Sequence, residues 1–238
     1  MKRLLLFVAS LWLGIVGASA QVDRCDVNGD GEVDISDVTY VVDHILGRGH
    51  ANTTIEVAGE AIDLGLPSGT KWASFNVGAT KPEEYGEYYA WGEIDTKSVY
   101  NESTYNYYKD GECVNIGSDI SGTEYDVAHV KWGGNWCMPT MNDFYELLDK
   151  CTYEYTTLNG VNGNKYTSKV NGNSIFLPAA GFRWGSVGSY TGAYIYYWSS
   201  MQSRDYSALA NVLFTGSAST YGQSGRCYGL SVRPVFKP

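Results

Sequence analysis

Hydrophobic positions change period several times along this chain, and each change marks an element. Lys2 and Arg3 lead into an apolar run over residues 4–16, closed by the small residues Ala18-Ser19-Ala20. That order predicts a secretory signal peptide cut before Gln21, with a run too short for a membrane span. Val38, Val41, Val42, Ile45 and Leu46 then recur at helical spacing, and Gly47 provides a stop. A single short amphipathic helix cannot bury such a stripe alone, so it must lie on the rest of the chain, on a second copy or on another protein. Residues 48–54 read as a polar linker. The organisation expected is therefore a signal peptide over 1–20, a small segment over 21–50, a linker over 51–59 and one domain over 60–238.

Within the large domain, strand-like runs fall at residues 62–66, 71–77 and 88–91, the first two separated by Pro67-Ser68-Gly69. Residues 94–126 are rich in Tyr, Ser and Gly without any period and read as a long excursion. A helix follows: Thr140 suits an N-cap, Asp143 stands three residues on, and Phe144, Leu147, Leu148 and Cys151 share a face. Asn171-Gly172 between the alternating runs 165–170 and 173–177 predicts a two-residue hairpin turn, in which both positions take positive φ. Further strands are expected at 194–199, 208–214 and 228–235. Strands, then a helix, then strands argue for an α+β fold.

The segment ahead of the linker carries the clearest chemistry. Asp26, Asn28, Asp30, Asp34 and Asp37 occupy positions one, three, five, nine and twelve of a loop, with the Glu32 carbonyl at position seven and Gly31 at the sharp turn. Oxygen ligands at that spacing wrap one calcium ion, which makes Ca2+ the expected cofactor. The twelfth position is Asp and only one helix follows, so the segment resembles a single calcium repeat of a type I dockerin. That module has two repeats and plugs secreted polysaccharide-degrading components into a cohesin partner. The resemblance implies docking to a cohesin-like partner or self-association through the helix.

Charge narrows the partners. The chain has 17 Lys+Arg against 26 Asp+Glu, a net charge of −9, and loss of Lys2 and Arg3 leaves 15 against 26, or −11. Nucleic acid and anionic membrane surfaces are poor partners for such a protein. Twenty Tyr, seven Trp and 28 Gly describe a loop-rich domain with many amphipathic aromatics.

Seven blocks then recur in order: Ile62-Asp63-Leu64-Gly65-Leu66-Pro67-Ser68-Gly69-Thr70-Lys71-Trp72-Ala73, Tyr88-Tyr89-Ala90-Trp91-Gly92-Glu93, Trp132-Gly133-Gly134-Asn135-Trp136, Met138-Pro139-Thr140, Leu177-Pro178-Ala179-Ala180-Gly181-Phe182-Arg183, Tyr197-Trp198-Ser199-Ser200 and Ser231-Val232-Arg233-Pro234-Val235. Over about residues 60–236 this series resembles the Fibrobacter succinogenes major paralogous domain. The resemblance implies a fold like that of C-type lectins and formylglycine-generating enzymes, and an exported location, whether extracellular, cell-surface or periplasmic. It assigns no activity. Cys137 and Cys227 stand where members of that family more often carry other residues, and their coincidence implies a bridge between the helix start and the last strand. Buried free thiols are the alternative, and with five cysteines at least one stays unpaired or pairs between chains. The copper-binding cysteine pair of formylglycine-generating enzymes is absent, because Cys227 stands alone in the last stretch. The Glu-Pro-Asn and Trp-Asn-Asp sugar motifs of C-type lectins are absent too.

Catalytic signatures are few. His44, His50 and His129 form no zinc spacing, and neither a Gly-x-Ser-x-Gly elbow nor a phosphate loop occurs. Glu84, Glu87, Glu93 and Asp95, near Trp91, are the candidates for a glycosidase pair, although solvated surface acids are the simpler reading. The tract over residues 190–198 is the better functional signal, since aromatic faces stack on sugar rings while phenol hydroxyls exchange hydrogen bonds. Trp91, Trp136 and Trp198 are expected in the core. Arg183, Trp184, Tyr190 and Tyr194, in less regular surroundings, are the expected ligand-binding residues. The function expected is non-catalytic recognition of a glycan or cell-surface protein, within an extracellular polysaccharide-degrading system, with a structural subunit and a glycosidase as alternatives.

Overall fold

Trp72 is the residue at which the two ends of the described chain meet. The structure, a computed structural model, describes residues 58–215 and 219–238. The expected signal peptide, the calcium loop with Asp26, Asn28, Asp30, Glu32, Asp34 and Asp37, and the helix after it lie outside the described residues. So does the linker as far as residue 57.

In chain order, β1 (Ala61–Ile62) and β2 (Lys71–Ala73) come first. A long irregular stretch follows, holding a 3-10 turn at Glu102–Thr104 and a small hairpin of β3 (Tyr108–Lys109) and β4 (Glu112–Cys113). Next come α1 (Val127–Trp132), β5 (Trp136–Cys137) and α2 (Met141–Lys150). The remaining elements are β6 (Cys151–Leu158), β7 (Val161–Ser168), β8 (Ser174–Pro178), β9 (Phe182–Trp184), β10 (Val187–Ser189), β11 (Ile195–Gln202), β12 (Leu209–Thr215), β13 (Ser219–Gly225) and β14 (Val235–Phe236). With two α-helices among the described residues, the fold is mixed and dominated by strands.

The sheets are small. One has the order β1-β2-β14-β5, two are three-stranded meanders, β6-β7-β8 and β11-β12-β13, and two are hairpins. Trp72 pairs with Ile62 on one side and Val235 on the other, so the first and last segments share one ladder. Trp72 is fully buried and lies with Leu64, Phe144, Leu147, Leu177 and Leu213 in one core cluster. A second cluster is built on Trp91, Trp198, Ile120 and Leu230. Its two tryptophans are cross-tied: Trp91 Nε1 donates to the Ser199 carbonyl at 2.9 Å and Trp198 Nε1 to the Tyr89 carbonyl at 2.7 Å. Trp91, Trp136 and Trp198 are all buried, as the sequence predicts.

Two buried arginines tie together segments far apart in sequence through their backbone carbonyls. Arg233 donates to Asn76 Oδ1 at 2.7 Å and to the carbonyls of Ala73 and Phe176 at 2.9 Å each. Arg226 donates to Tyr105 Oη at 2.9 Å and to the carbonyls of Ser207 and Val114, and its guanidinium lies 4.7 Å from the Trp91 ring. Carbonyl dipoles and ring faces take the place of carboxylates, which suits a planar, five-donor cation.

The helix after Thr140 forms as expected. Thr140 Oγ1 accepts from Asp143 N, Asp143 Oδ2 accepts from Thr140 N at 2.8 Å, and the capping box is complete. Asp143 also meets Lys237 Nζ at 3.0 Å, tying the helix start to the chain end. Cys151, expected on the helix face, is instead the C-cap and first residue of β6, and it is still buried.

Other expectations are corrected. The hairpin at Asn171-Gly172 exists, but its pairing stops at Thr167↔Ser174 and only Gly172 of the two has positive φ, so the loop is longer than two residues. The two-residue turn lies one hairpin earlier, at Asn159-Gly160, with φ of 48° and 85° between paired Leu158 and Val161. The strand expected over 88–91 is reduced to a single bridge, Tyr89↔Leu230. Cys137 and Cys227 are free thiols in different clusters, so the expected bridge is not formed. The reason is the register: Cys137 lies opposite Val235, and the chain has already left Cys227 beside Tyr88, Tyr100 and Tyr105.

Candidate functional site

The hairpin of β9 and β10 carries two of the four predicted ligand residues, and the turn after it the other two. Pairing of Arg183 with Gly188, and of Arg183 with Gly229, fixes the β9 backbone on both edges. The side chains are thereby sorted by alternation. Phe182 turns inward against Tyr196 and Tyr228, at 5.2 and 5.6 Å between ring centroids. Trp184 meets the Tyr228 ring edge-on at 4.5 Å and keeps 47% of its surface in water. Arg183 is half-buried, with its guanidinium 4.5 Å from the Tyr88 ring centre.

Tyr190 is the unusual residue. It has φ 57° and is 56% exposed. A bulky side chain in the left-handed region costs about 1–2 kcal/mol, so the conformation persists only because its surroundings impose it. Those surroundings are visible: Ala193 N and Tyr194 N both donate to the Tyr190 carbonyl, and Gly192 N donates to the Ala179 carbonyl at 2.7 Å. On the other side Gly181 presses so closely that a Cβ there would stand 2.1 Å from the Ser189 carbonyl oxygen. The strained backbone holds the Tyr190 ring 5.8 Å from Phe182 and 5.2 Å from half-buried Tyr194. Trp184, Tyr228, Phe182, Tyr190, Tyr194 and Phe214 thus form one unbroken train of rings, of which Trp184 and Tyr190 face water. All four predicted residues, Arg183, Trp184, Tyr190 and Tyr194, belong to this ridge or flank it. An aromatic ridge with one guanidinium at its edge can stack on planar or ring ligands and donate a hydrogen bond to them.

The candidate acids are engaged elsewhere. Glu84 accepts from Thr80 N at 2.7 Å and from Lys81 N, closing a turn. Glu87 accepts from the Tyr89 hydroxyl and lies 3.6 Å from Lys131. Glu93, buried, pairs with Lys97 and accepts from Asn106 N at 2.7 Å. It lines a cleft of about 330 Å³ that also contains Asp95, the one of the four without such a partner set. Among the described residues no group of three or more His, Cys, Asp or Glu is arranged to hold a metal ion, and no helix is long and apolar enough to cross a membrane.

Sequence reasoning missed a second aromatic surface. Tyr145 of α2, Tyr153 of β6 and Tyr221 of β13, with Leu148 and Asp149, line an open cleft of about 450 Å³. The signal was local: Tyr145 lies one position off the apolar face of α2 and is 42% exposed. It also missed Asp126, which is fully buried and caps α1 with four backbone N–H groups on its carboxylate. Burial pushes this carboxyl up, against the downward pull of the N–H groups of Gly122, Met138, His129 and Ala128.

No family model, curated protein or solved structure matches this chain.

Proposed function

We propose that residues 60–238 are a non-catalytic recognition domain that holds a glycan on the ridge formed by Trp184, Tyr190 and Tyr194, with Arg183 at its edge. The observation that carries this reading is Tyr190, a large ring held toward water by a backbone conformation that opposes it. Strain of this kind concentrates at binding sites, because selection for folding alone would remove it. A glycan is favoured over a nucleic acid because the chain is acidic, and stacking on a sugar face needs no opposite charge. The fold reading that goes with this is the C-type-lectin-like architecture of the Fibrobacter succinogenes major paralogous domain. It is supported by the seven ordered blocks and by termini that share one sheet.

The same reading gives the N-terminal loop the task of attachment. Its Asp26, Asn28, Asp30, Asp34 and Asp37 side chains and Glu32 carbonyl would hold one Ca2+, and the apolar stripe after them would dock on a cohesin-like partner or a second copy. Export through the signal peptide places the protein outside the cytoplasm, where calcium is plentiful. The test is retention of the purified protein on insoluble plant, fungal and host polysaccharides, with release of reducing ends measured in parallel. Retention without release supports recognition. Release that disappears when a single acid is changed replaces it with a glycosidase.

A further inference from the structure

The cleft between α2, β6 and β13 has the build of a binding subsite, and its position relates it to the ridge. Tyr145 and Tyr221 stand edge to face at 4.7 Å, so one ring wall is braced by the other. Tyr221 is 57% exposed and Tyr153 44%, leaving ring surface turned to the opening. Asp149 supplies the one carboxylate at the rim. Its pKa is lowered by hydrogen bonding and charge from Lys150, whose Nζ lies 2.8 Å away. The volume of about 450 Å³ falls within the range of roughly 300–1,000 Å³ typical of small-ligand sites.

Tyr155 links this cleft to the ridge. It stands two residues beyond Tyr153 on β6, hence on the same face of the strand. Its hydroxyl donates to the Gly192 carbonyl at 3.1 Å, within the turn that bears Tyr190 and Tyr194. Tyr155 is itself 45% exposed. Exposed tyrosines therefore run from Tyr221 past Tyr153 and Tyr155 to the turn that bears Tyr190.

We propose that the cleft is a second subsite for a neutral polysaccharide chain, which lies across Tyr155 and reaches the ridge. This rests on the glycan reading of the ridge. The lining selects the ligand: phenol rings offer faces to a pyranose, and an ionised acceptor at the rim needs donor hydroxyls. Uronic or sulfated sugars would meet Asp149 as a like charge. A proline-rich peptide would bring carbonyl acceptors and few N–H donors, offering Asp149 no donor beyond its Lys150 partner.

The test is calorimetric titration of the purified protein with cellobiose and cellohexaose, xylohexaose and mannohexaose, and with hexagalacturonate and a proline-rich decapeptide as contrasts. At least one neutral hexasaccharide is expected to bind more than tenfold tighter than its disaccharide. Tyr221→Ala and Tyr145→Ala should each reduce that advantage by about fivefold or more while leaving thermal unfolding unchanged. Asp149→Asn should weaken the neutral hexasaccharide and let hexagalacturonate bind. Trp184→Ala should weaken every neutral ligand. If Trp184→Ala abolishes binding but Tyr221→Ala and Tyr145→Ala leave the hexasaccharide unaffected, the cleft proposal fails and the ridge reading stands. Equal affinity for di- and hexasaccharide, preference of the unaltered protein for hexagalacturonate, binding of the peptide at the cleft, or no binding of any neutral hexasaccharide would each overturn it.

Discussion

Asp126 offers the sharpest test of how this fold is held, because one side chain replaces a whole set of missing ladder bonds. Oδ1 accepts from Ala128 N at 2.9 Å and His129 N at 3.1 Å, and Oδ2 accepts from Gly122 N and Met138 N at 2.8 Å each. Ala128 and Met138 are buried, whereas Gly122 is exposed and can turn to water. In Asp126→Ala the two buried donors each cost about 1–3 kcal/mol, and loss of the helix cap adds about 1 kcal/mol. A destabilisation of about 3–7 kcal/mol is expected by urea denaturation, with the slope unchanged. Asp126→Asn separates charge from shape. Whichever way its amide turns, an NH2 group faces two backbone N–H donors, so Asn should cost at least about 2 kcal/mol despite its equal size. An alanine variant within about 1 kcal/mol of the unaltered protein would refute the argument. An asparagine variant of full stability would show instead that the carboxyl is protonated in the fold.

Two further expectations concern protons and calcium. Burial raises the Cys151 and Cys227 thiols to about 11 from an ordinary value of 9.0, and burial also raises Tyr105 and Tyr197. Because the folded state keeps these protons longer than the unfolded chain, their contribution is complete below pH 9 and is lost as pH climbs through about 11. The melting temperature should fall across that window, and a flat profile would contradict the burial of these groups. In the N-terminal segment one Ca2+ should bind, with Asp30→Ala abolishing uptake measured by calorimetry, since the loop loses both a charge and a position in the cage. Chelator should leave the melting of the large domain nearly unchanged, and a wholesale collapse on chelation would show that the two parts fold as one.

The sequence made some of this legible because certain signals are local and one-sided. The capping box at Thr140 and Asp143 works within four residues, so it reads correctly without knowledge of the fold. The Asn-Gly hairpin signal is equally local but occurs three times between residues 159 and 172, and only the strand register decides which copy forms the tight turn. Asn159-Gly160 won because β6 and β7 pair without a slip up to Leu158↔Val161. β13, Ser-Thr-Tyr-Gly-Gln-Ser-Gly, has no hydrophobic alternation and is a strand only because β12 offers it a ladder. α1 is six residues long, too short for a period to show, and exists through Asp126. The ridge was legible because Arg183, Trp184, Tyr190 and Tyr194 lie close in sequence among glycines. The cleft was not, since Tyr145, Tyr153 and Tyr221 come from three elements that only the tertiary fold brings together. A cysteine pairing inferred from coincident replacements failed for the same reason: the register that sets Cys137 against Val235 is invisible in one chain.

The central claim is that the exposed ridge binds a glycan and does not transform it. The most direct measurement compares the unaltered protein with Trp184→Ala and Tyr190→Ala for binding to the polysaccharide that retains it best. Circular dichroism and melting temperature are recorded on the same samples. Each lost stacking ring is expected to weaken binding by about 1 kcal/mol, roughly fivefold, with folding intact because both side chains are about half exposed. Unchanged affinity in both variants, with folding intact, would contradict the account.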